Sequence, residues 1–539
     1  MAYAIRWTAW RANWLIALVT LAVSAHGAAV DETLQIDSGP IRGVRAGEDG
    51  NVRAFKGIPF AAAPVGKLRW KAPQPVAAWK ELRDCTNFGP VCPQLPYPAG
   101  SIYAQPPQPQ SEDCLYLNVW TAAERADEMR PVMVWIHGGA LTRGSGSIGV
   151  YDGTSLARKG VVLVTINHRL GPLGYFAHPA LSREDSHGSS GNYGVLDQIA
   201  ALQWVQRNIA AFGGDPSRVT IFGESAGSWS VCSLVATPLA KGLFHRAIGQ
   251  SGGCFMPMAY LSRDRGPFTA AEKAGESLAT RLECDKAADP LAALRAKSVE
   301  DILAAAAKEP TQARTRPNID GWVFPQDIYD IFAAGQQNHV PVIVGSNADE
   351  GTSLGAGGVP KSLESFVETA KAKYGPLADR FFQVYAVNGD AGVRNAYLHS
   401  FRDEWFTWEM RTWARLTERA GDKAYLYYFS HVPPRPDADQ YGAYHAAEIV
   451  YVFDNLKQVP WTFSASDHAL ATAMSDYWVR FATAANPNGG GLTPWPVYST
   501  SSGAYLEFGD STHERANLLA AECDFYDDYV AGKRAALPR

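Results

Sequence analysis

The run Gly-Glu-Ser-Ala-Gly at 223–227 sets a serine between two glycines. Ahead of it lies a short apolar stretch, 219–222, and behind it a segment that reads as a helix from near Ala226. A serine forced into so tight a strand-to-helix turn has its hydroxyl lifted clear of the sheet, and the flanking glycines are needed because side chains there would clash. The turn also aims the serine at the free N–H groups of the helix N-terminus, which favour developing negative charge. This is the chemistry of a nucleophile, and Ser225 is the candidate. A five-residue pattern of this kind also occurs as an ordinary glycine-rich turn; the strand before and the helix after separate the two readings.

A serine hydroxyl attacks a carbonyl only when a base takes its proton. The chain has twelve histidines. With the strand-turn-helix nucleophile, the expected chain order is serine, acid, histidine, which excludes His137, His168, His178 and His187 as the base. Downstream, His445 stands in GAYHAAEI, after the strand-like run 425–429. His245, His339, His399, His431, His468 and His513 have no comparable setting and read as surface or core residues. The acid should fall between Ser225 and His445, in a loop after a strand. GSNADEGT, which follows the apolar run 340–344, offers Asp349 and Glu350, and spacing alone does not separate them. Upstream, HGGA at 137–140 follows the run 132–136. Small residues there let backbone N–H groups approach a carbonyl oxygen, and one such donor is worth about 3 kcal/mol in the transition state. Gly139, Ala140 and Ala226 are the expected donors.

These residues need a frame. Runs 132–136, 161–166 and 219–222 are short and rich in β-branched residues, and between them Leu196, Ile199, Leu202, Val205 and Ile209 recur at helical spacing over 195–212. Strand, helix, strand in that order predicts a parallel sheet covered by helices. Alternating apolar and polar residues over 33–56 predict short antiparallel edge strands. Runs 340–344 and 425–429 predict further buried strands, while 268–308 and 362–419 read as helical insertions. A last helix is expected over 467–485, stopped by Asn-Pro-Asn-Gly at 486–489. Trp405, Phe406, Trp408 and Trp413 recur at helical spacing and read as core. The expectation is an α/β-hydrolase fold, with a mostly parallel central sheet flanked by helices, as one domain over 29–539.

An apolar share of 46% and a charged share of 19% are those of a globular protein, and a net charge of −5 without a Lys/Arg-rich run argues against nucleic acid as a partner. Residues 1–28 read as an export signal: Arg6 and Arg11, an apolar run over 14–23 too short to span a bilayer, then small residues at Ala25, Gly27, Ala28 and Ala29. The expected product is secreted or periplasmic, with no membrane span in the mature chain. Seven cysteines leave at least one unpaired. Cys92 and Cys114 flank a Pro-rich stretch whose closure removes unfolded-chain entropy, and they are the expected disulfide. No cysteine pairs fall at zinc spacing, so no metal is expected; no organic cofactor is implied either.

With these residues in hand, the chain resembles the type-B carboxylesterases. The likeness runs through FKGIPFAAAPVGKLRW from Phe55, SEDCLYLNV from Ser111, GNYGVLDQIAALQWVQRNI from Gly191, GGDPSRVTIFGESAG from Gly213, QSGG from Gln250, Asp320-Gly321, NADEGT from Asn347 and the His445 segment. The resemblance implies that Glu350 is the acid, that Glu224 and Ser251 support the triad, that Cys92 pairs with Cys114, and that Arg69 with Glu112 and Arg169 with Asp197 form structural ion pairs. It implies carboxylic-ester hydrolysis through an acyl-enzyme. This chain departs from the family at Ala140, where a third glycine is usual, at Leu141, where an aromatic is usual, and at Arg143, where small residues are common. The family's second disulfide is broken at Cys284, and Cys254 is the candidate substitute partner.

Arg143 follows the oxyanion segment closely enough to reach a pocket mouth and grip a carboxylate; Arg314 and Arg316, before Asp320, could add to it. The substrate expected on that basis is an ester carrying acidic groups, such as the tricarballylate esters of fumonisin-type toxins that bacterial members of the resembled family cleave. The alternative for all three is solvated arginine. Rival readings of the whole chain are a binding or adhesion protein on the same scaffold, which would typically lack the nucleophile, and a lipase or amidase.

Overall fold

In the computed structural model, which describes residues 28–308 and 316–538, the apolar runs form the centre of an eleven-stranded sheet. Its strands are β1 (Val44–Ala46), β2 (Val52–Pro59), β3 (Tyr116–Thr121), β4 (Arg130–Ile136), β5 (Val162–Ile166), β6 (Gly214–Glu224), β7 (Arg246–Gln250), β8 (Val342–Asn347), β9 (Ala424–Phe429), β10 (Ala504–Phe508) and β11 (Thr512–Ala516). Their spatial order is β11-β10-β9-β8-β7-β6-β4-β5-β3-β2-β1. From β5 across to β10 every neighbouring pair is parallel, and the two edges close with antiparallel strands. A small separate sheet joins Thr33–Ile36, Gly39–Arg42 and Arg83–Asp84.

The central runs lack polar alternation because both faces of the sheet are covered. Val132, Val134 and Ile136 of β4 enter one core, while Met133 and Trp135 enter the other. Helix α1 (Tyr193–Asn208) packs Val195, Ile199, Leu202 and Val205 into the first. Helix α5 (Ala465–Ala484) packs Leu470, Met474, Trp478 and Phe481 into the second. Between them in sequence lie α2 (Ala226–Ala236), α3 (Asp390–Arg402) and α4 (Trp408–Arg419).

Three expectations are corrected. The helix at 465–484 is not the last: β10, β11 and a further helix, α6 (Ala520–Ala535), follow it. The strand Tyr116–Thr121 begins within the motif that runs from Ser111 to Val119 and extends past it, where no strand was expected. Cys254 pairs with Cys232 (Cα–Cα 6.1 Å), leaving Cys284 buried and unpaired. Helix α2, which carries Cys232, packs on β7, so the segment leaving β7 brings Cys254 alongside it. Cys92 and Cys114 are bonded, with Cα atoms 5.0 Å apart. The two arginine–carboxylate pairs are bidentate: Arg69 to the half-buried Glu112 at 2.6 and 2.5 Å, and Arg169 to the buried Asp197 at 2.8 and 2.6 Å.

The aromatic run at 405–413 divides. Trp408 and Trp413 are core, at 2% and 0% exposure, but Trp405 is 46% exposed. A π-helical turn at Asp403–Thr407 breaks the 3.6-residue period there, as such turns do near functional sites. The export signal expected over 1–28 lies, Ala28 excepted, outside the described residues. Among the described residues no helix is long and apolar enough to cross a membrane, and no group of three or more His, Cys, Asp or Glu side chains could hold a metal ion.

Candidate active site

Four loops leave the C-terminal ends of the parallel strands β4, β6, β8 and β9, and each carries one part of the expected chemistry. In open parallel sheets this is the end at which sites are built.

Ser225 sits at the junction of β6 and α2 with φ 57° and ψ −124°, a conformation a non-glycine residue holds only when its surroundings force it. Its N–H donates to the Gln250 carbonyl (2.8 Å), and its carbonyl accepts from the Trp229 N–H (2.9 Å). A Cβ at Gly223 would stand 2.6 Å from the Gly227 carbonyl carbon, and one at Gly227 would overlap the Ile136 carbonyl oxygen. Only glycine therefore permits the turn. Ser225 is half-buried beside the buried Glu224.

The loop after β4 lies against this turn. A Cβ on Gly138 would be 3.1 Å from Ser225 Cβ and 2.8 Å from Glu224 Oε2. Gly139, Ala140 and Leu141 all have positive φ, at 108°, 57° and 59°, and the Gly139 carbonyl accepts the Thr142 and Arg143 N–H groups at 3.0 Å. The N–H groups of Gly139 and Ala140 donate to no protein atom among the described residues. Ala226, first residue of α2, has no acceptor within its own helix either. Ala140 thus holds a left-handed conformation without being glycine, at a cost of about 1 kcal/mol. His137 is fully buried, its Nδ1 is 2.8 Å from the Gly138 carbonyl oxygen, and burial pushes its pKa down to about 4.

His445 and Glu350 meet. Nδ1 of His445 is 2.5 Å from Glu350 Oε2, and the two residues are 4% and 0% exposed. Glu350 Oε1 accepts the Asn347 N–H at 2.8 Å. Asp349, the neighbouring carboxylate, points away and accepts the Ala443 N–H at 2.9 Å. On the other side of the ring, Nε2 is 3.1 Å from Glu224 Oε1. That is ion-pairing distance, but Glu224 Oε1 has no hydrogen-bond partner among the described residues. No hydrogen bond joins the imidazole to Ser225 Oγ among the described residues; contacts of this type commonly tighten when substrate binds. Burial disfavours the imidazolium, but the Glu224 and Glu350 carboxylates outweigh it and push its pKa up to about 9. Burial pushes Glu224 up to about 8, against the pull of His445. The two groups sit close enough to titrate as a unit.

Glu448 and the placing of Phe406 were not visible as such in the sequence. Glu448 accepts from Asn347 Nδ2 (2.6 Å) and Gln250 Nε2 (2.9 Å), tying the loops after β8, β7 and β9 together. Its signal was its place three residues after His445. Phe406, turned by the π-helical segment, lies 4.8 Å from the His445 ring. The hydroxyl of Ser251 is buried without a hydrogen-bond partner among the described residues. Arg143 is half-buried, donates from Nε to the Leu95 carbonyl at 3.1 Å and stands 5.4 Å over the Tyr97 ring. Arg316 is exposed, and Arg314 lies outside the described residues.

A sequence model of the carboxylesterase family matches residues 30–526. The chain is 38% identical over 523 residues to a fumonisin B1 esterase of Sphingopyxis macrogoltabida, covering 94% of this chain and 91% of the relative. It is 34% identical over 465 residues to a para-nitrobenzyl esterase of Bacillus subtilis (strain 168), with 84% and 91% covered. A solved structure of a PNB esterase superposes with a TM-score of 0.77 at 31% identity, over 92% of this chain and 99% of that one. The chain belongs to the carboxylesterase family, and it is a carboxylic-ester hydrolase on the α/β-hydrolase fold.

Proposed function

We propose that the protein hydrolyses esters through a Ser225–His445–Glu350 triad and an acyl-enzyme intermediate. His445 Nε2 takes the Ser225 proton as Oγ attacks the ester carbonyl. The oxyanion is received by the N–H groups of Gly139, Ala140 and Ala226. The same imidazole then protonates the leaving alcohol, and water repeats the sequence on the acyl group. The observation that carries this reading is the buried 2.5 Å contact between His445 Nδ1 and Glu350, with the other ring nitrogen turned toward the Glu224–Ser225 turn. Labelling with an organophosphate, followed by peptide mapping, tests it: modification at Ser225 that is lost in Ser225→Ala supports the assignment, and modification elsewhere ends it.

Glu224 tunes this base. Its carboxylate raises the imidazole's pKa, and a raised pKa keeps the base protonated to higher pH. Glu224→Gln removes that pull, so the acidic limb of the kcat/KM profile should move to lower pH. A limb that stays in place or moves up would show that Glu224 does not act on the base.

The substrate class we propose is an ester bearing carboxylates. Arg143 stands at the oxyanion loop with no ion-pair partner among the described residues, and its Nη groups take no part in the contact to Leu95. A planar guanidinium so placed suits bidentate capture of a carboxylate. The likeness to a fumonisin B1 esterase adds support. Arg143→Ala should lower kcat/KM for tricarballylate-type esters about 10- to 100-fold, the worth of a charged hydrogen-bonded contact, and leave p-nitrophenyl acetate nearly unchanged. Equal losses on both substrates would remove the idea. The N-terminal Arg/apolar pattern and the two disulfides support export of the enzyme to an oxidising compartment.

A further inference from the structure

The stretch closed by the Cys92–Cys114 disulfide is tied to two separate parts of the site. On one side it holds the oxyanion loop. Gln94 and Gly144 exchange two hydrogen bonds, Gln94 Nε2 to the Gly144 carbonyl at 3.0 Å and the Gly144 N–H to Gln94 Oε1 at 2.8 Å. Gln108 Oε1 accepts from Ser147 Oγ at 2.8 Å and from Ser145 Oγ at 3.2 Å. On the other side it reaches the base. Tyr103 Oη lies 3.1 Å from the His445 backbone carbonyl oxygen and 2.6 Å from Ser353 Oγ, and its ring stands edge-on to the imidazole with centroids 6.4 Å apart.

A phenol has one proton to give. Given to the His445 carbonyl, it leaves the Tyr103 oxygen to accept the Ser353 hydroxyl proton, so both contacts are satisfied at once. Ser353 belongs to the short helix Glu350–Leu354, whose first residue is Glu350. One hydroxyl therefore links the backbone of His445 to the helix that carries its carboxylate partner. Desolvation raises the Tyr103 hydroxyl well above the ordinary phenol range, which keeps it a donor over any pH at which an esterase is assayed.

We propose that Tyr103 is a positioning residue for ester hydrolysis: its hydroxyl fixes the His445 loop against the Glu350 helix and so sets the direction of Nε2 toward Ser225. The inference rests on the reading of His445 as the base. Displacement of a reacting group by a fraction of an ångström is costly, because the bound geometry is what replaces a chance encounter.

The test compares wild type with Tyr103→Phe, Ser353→Ala and His445→Ala on a p-nitrophenyl ester, with thermal unfolding followed in parallel. Tyr103→Phe should lower kcat roughly tenfold with KM within about twofold. Its rate of organophosphate capture should fall by the same factor, while the midpoint of unfolding stays close to wild type. Ser353→Ala, which leaves the bond to the His445 carbonyl in place, should lose less. Wild-type kcat in Tyr103→Phe overturns the proposal, as does a change confined to KM. If Tyr103→Phe fails to fold, Ser353→Ala decides: full kcat and capture rate in that variant count against the link. Activity surviving in His445→Ala would instead overturn the assignment of the base, so the two failures are distinguishable.

Discussion

Ser225→Ala should fold as the wild type does and lose about five to six orders of magnitude in kcat, with KM for a p-nitrophenyl ester changed little. The size follows from what the side chain alone supplies. Removing the nucleophile of a serine hydrolase leaves only the oxyanion donors and substrate binding, which give a residual rate far below that of the intact triad. The fold should be untouched, since the turn is held by backbone contacts: the Ser225 N–H to Gln250, its carbonyl to Trp229, and the glycines at 223 and 227 against their neighbours. Alanine, like serine, accepts a positive φ only under constraint, so no new strain enters. Steady-state kinetics, with circular dichroism to check the fold, decide the matter. A residual kcat within a hundredfold of wild type would mean that the hydroxyl is not the attacking group, and that water activated directly by His445 performs the hydrolysis.

The nucleophile and the sheet behind it were the most legible features of the sequence, and the reason is physical. The nucleophile turn needs glycine at fixed offsets from the serine, because a Cβ at 223 or 227 collides with backbone, and the strand feeding it is buried on both faces. Composition therefore records the geometry. The same holds for β4, β5, β8 and β9. Asp349 and Glu350 were inseparable by spacing because only side-chain direction distinguishes them: one caps the Ala443 backbone and the other meets His445. The direction of Phe406 was hidden because a π-helical turn alters the period on which any count of faces depends. The pairing of Cys254 was misjudged for a related reason. Cys232 lies on the helix after the nucleophile, and only the packing of that helix on β7 brings the two sulfurs together. The strand 116–121, flanked by β2 and β5, has all six residues buried, so no polar alternation marks it in the sequence. Where backbone sterics dictate residue type the sequence is explicit; where packing decides, it is silent.

Glu350→Gln should be the second most damaging single change, lowering kcat about 10⁴-fold, the loss expected when the acid of a triad is replaced by its amide. The two oxygens of Glu350 have different duties. Oε1 accepts the Asn347 backbone N–H, while Oε2 faces His445 Nδ1. Glutamine keeps the shape but turns one of these acceptors into a donor. If its oxygen stays with Asn347, its NH₂ faces Nδ1, which must then give up its proton. The proton moves to Nε2, and an Nε2–H cannot take the proton of Ser225. If the amide flips, its NH₂ meets the Asn347 N–H inside a fully buried site, at a cost of about 1–3 kcal/mol for the unsatisfied donors. The backbone of Asn347 thus selects the unproductive tautomer. Loss of the carboxylate charge also lowers the affinity of the imidazole for its proton, so the acidic limb of the residual activity should lie at lower pH than in wild type. Glu350→Asp, which restores the charge but shortens the reach, should recover part of the loss. A Glu350→Gln enzyme within tenfold of wild-type kcat would show that Nδ1 is oriented by something other than this carboxylate, and the buried contact on which the triad assignment rests would lose its catalytic meaning.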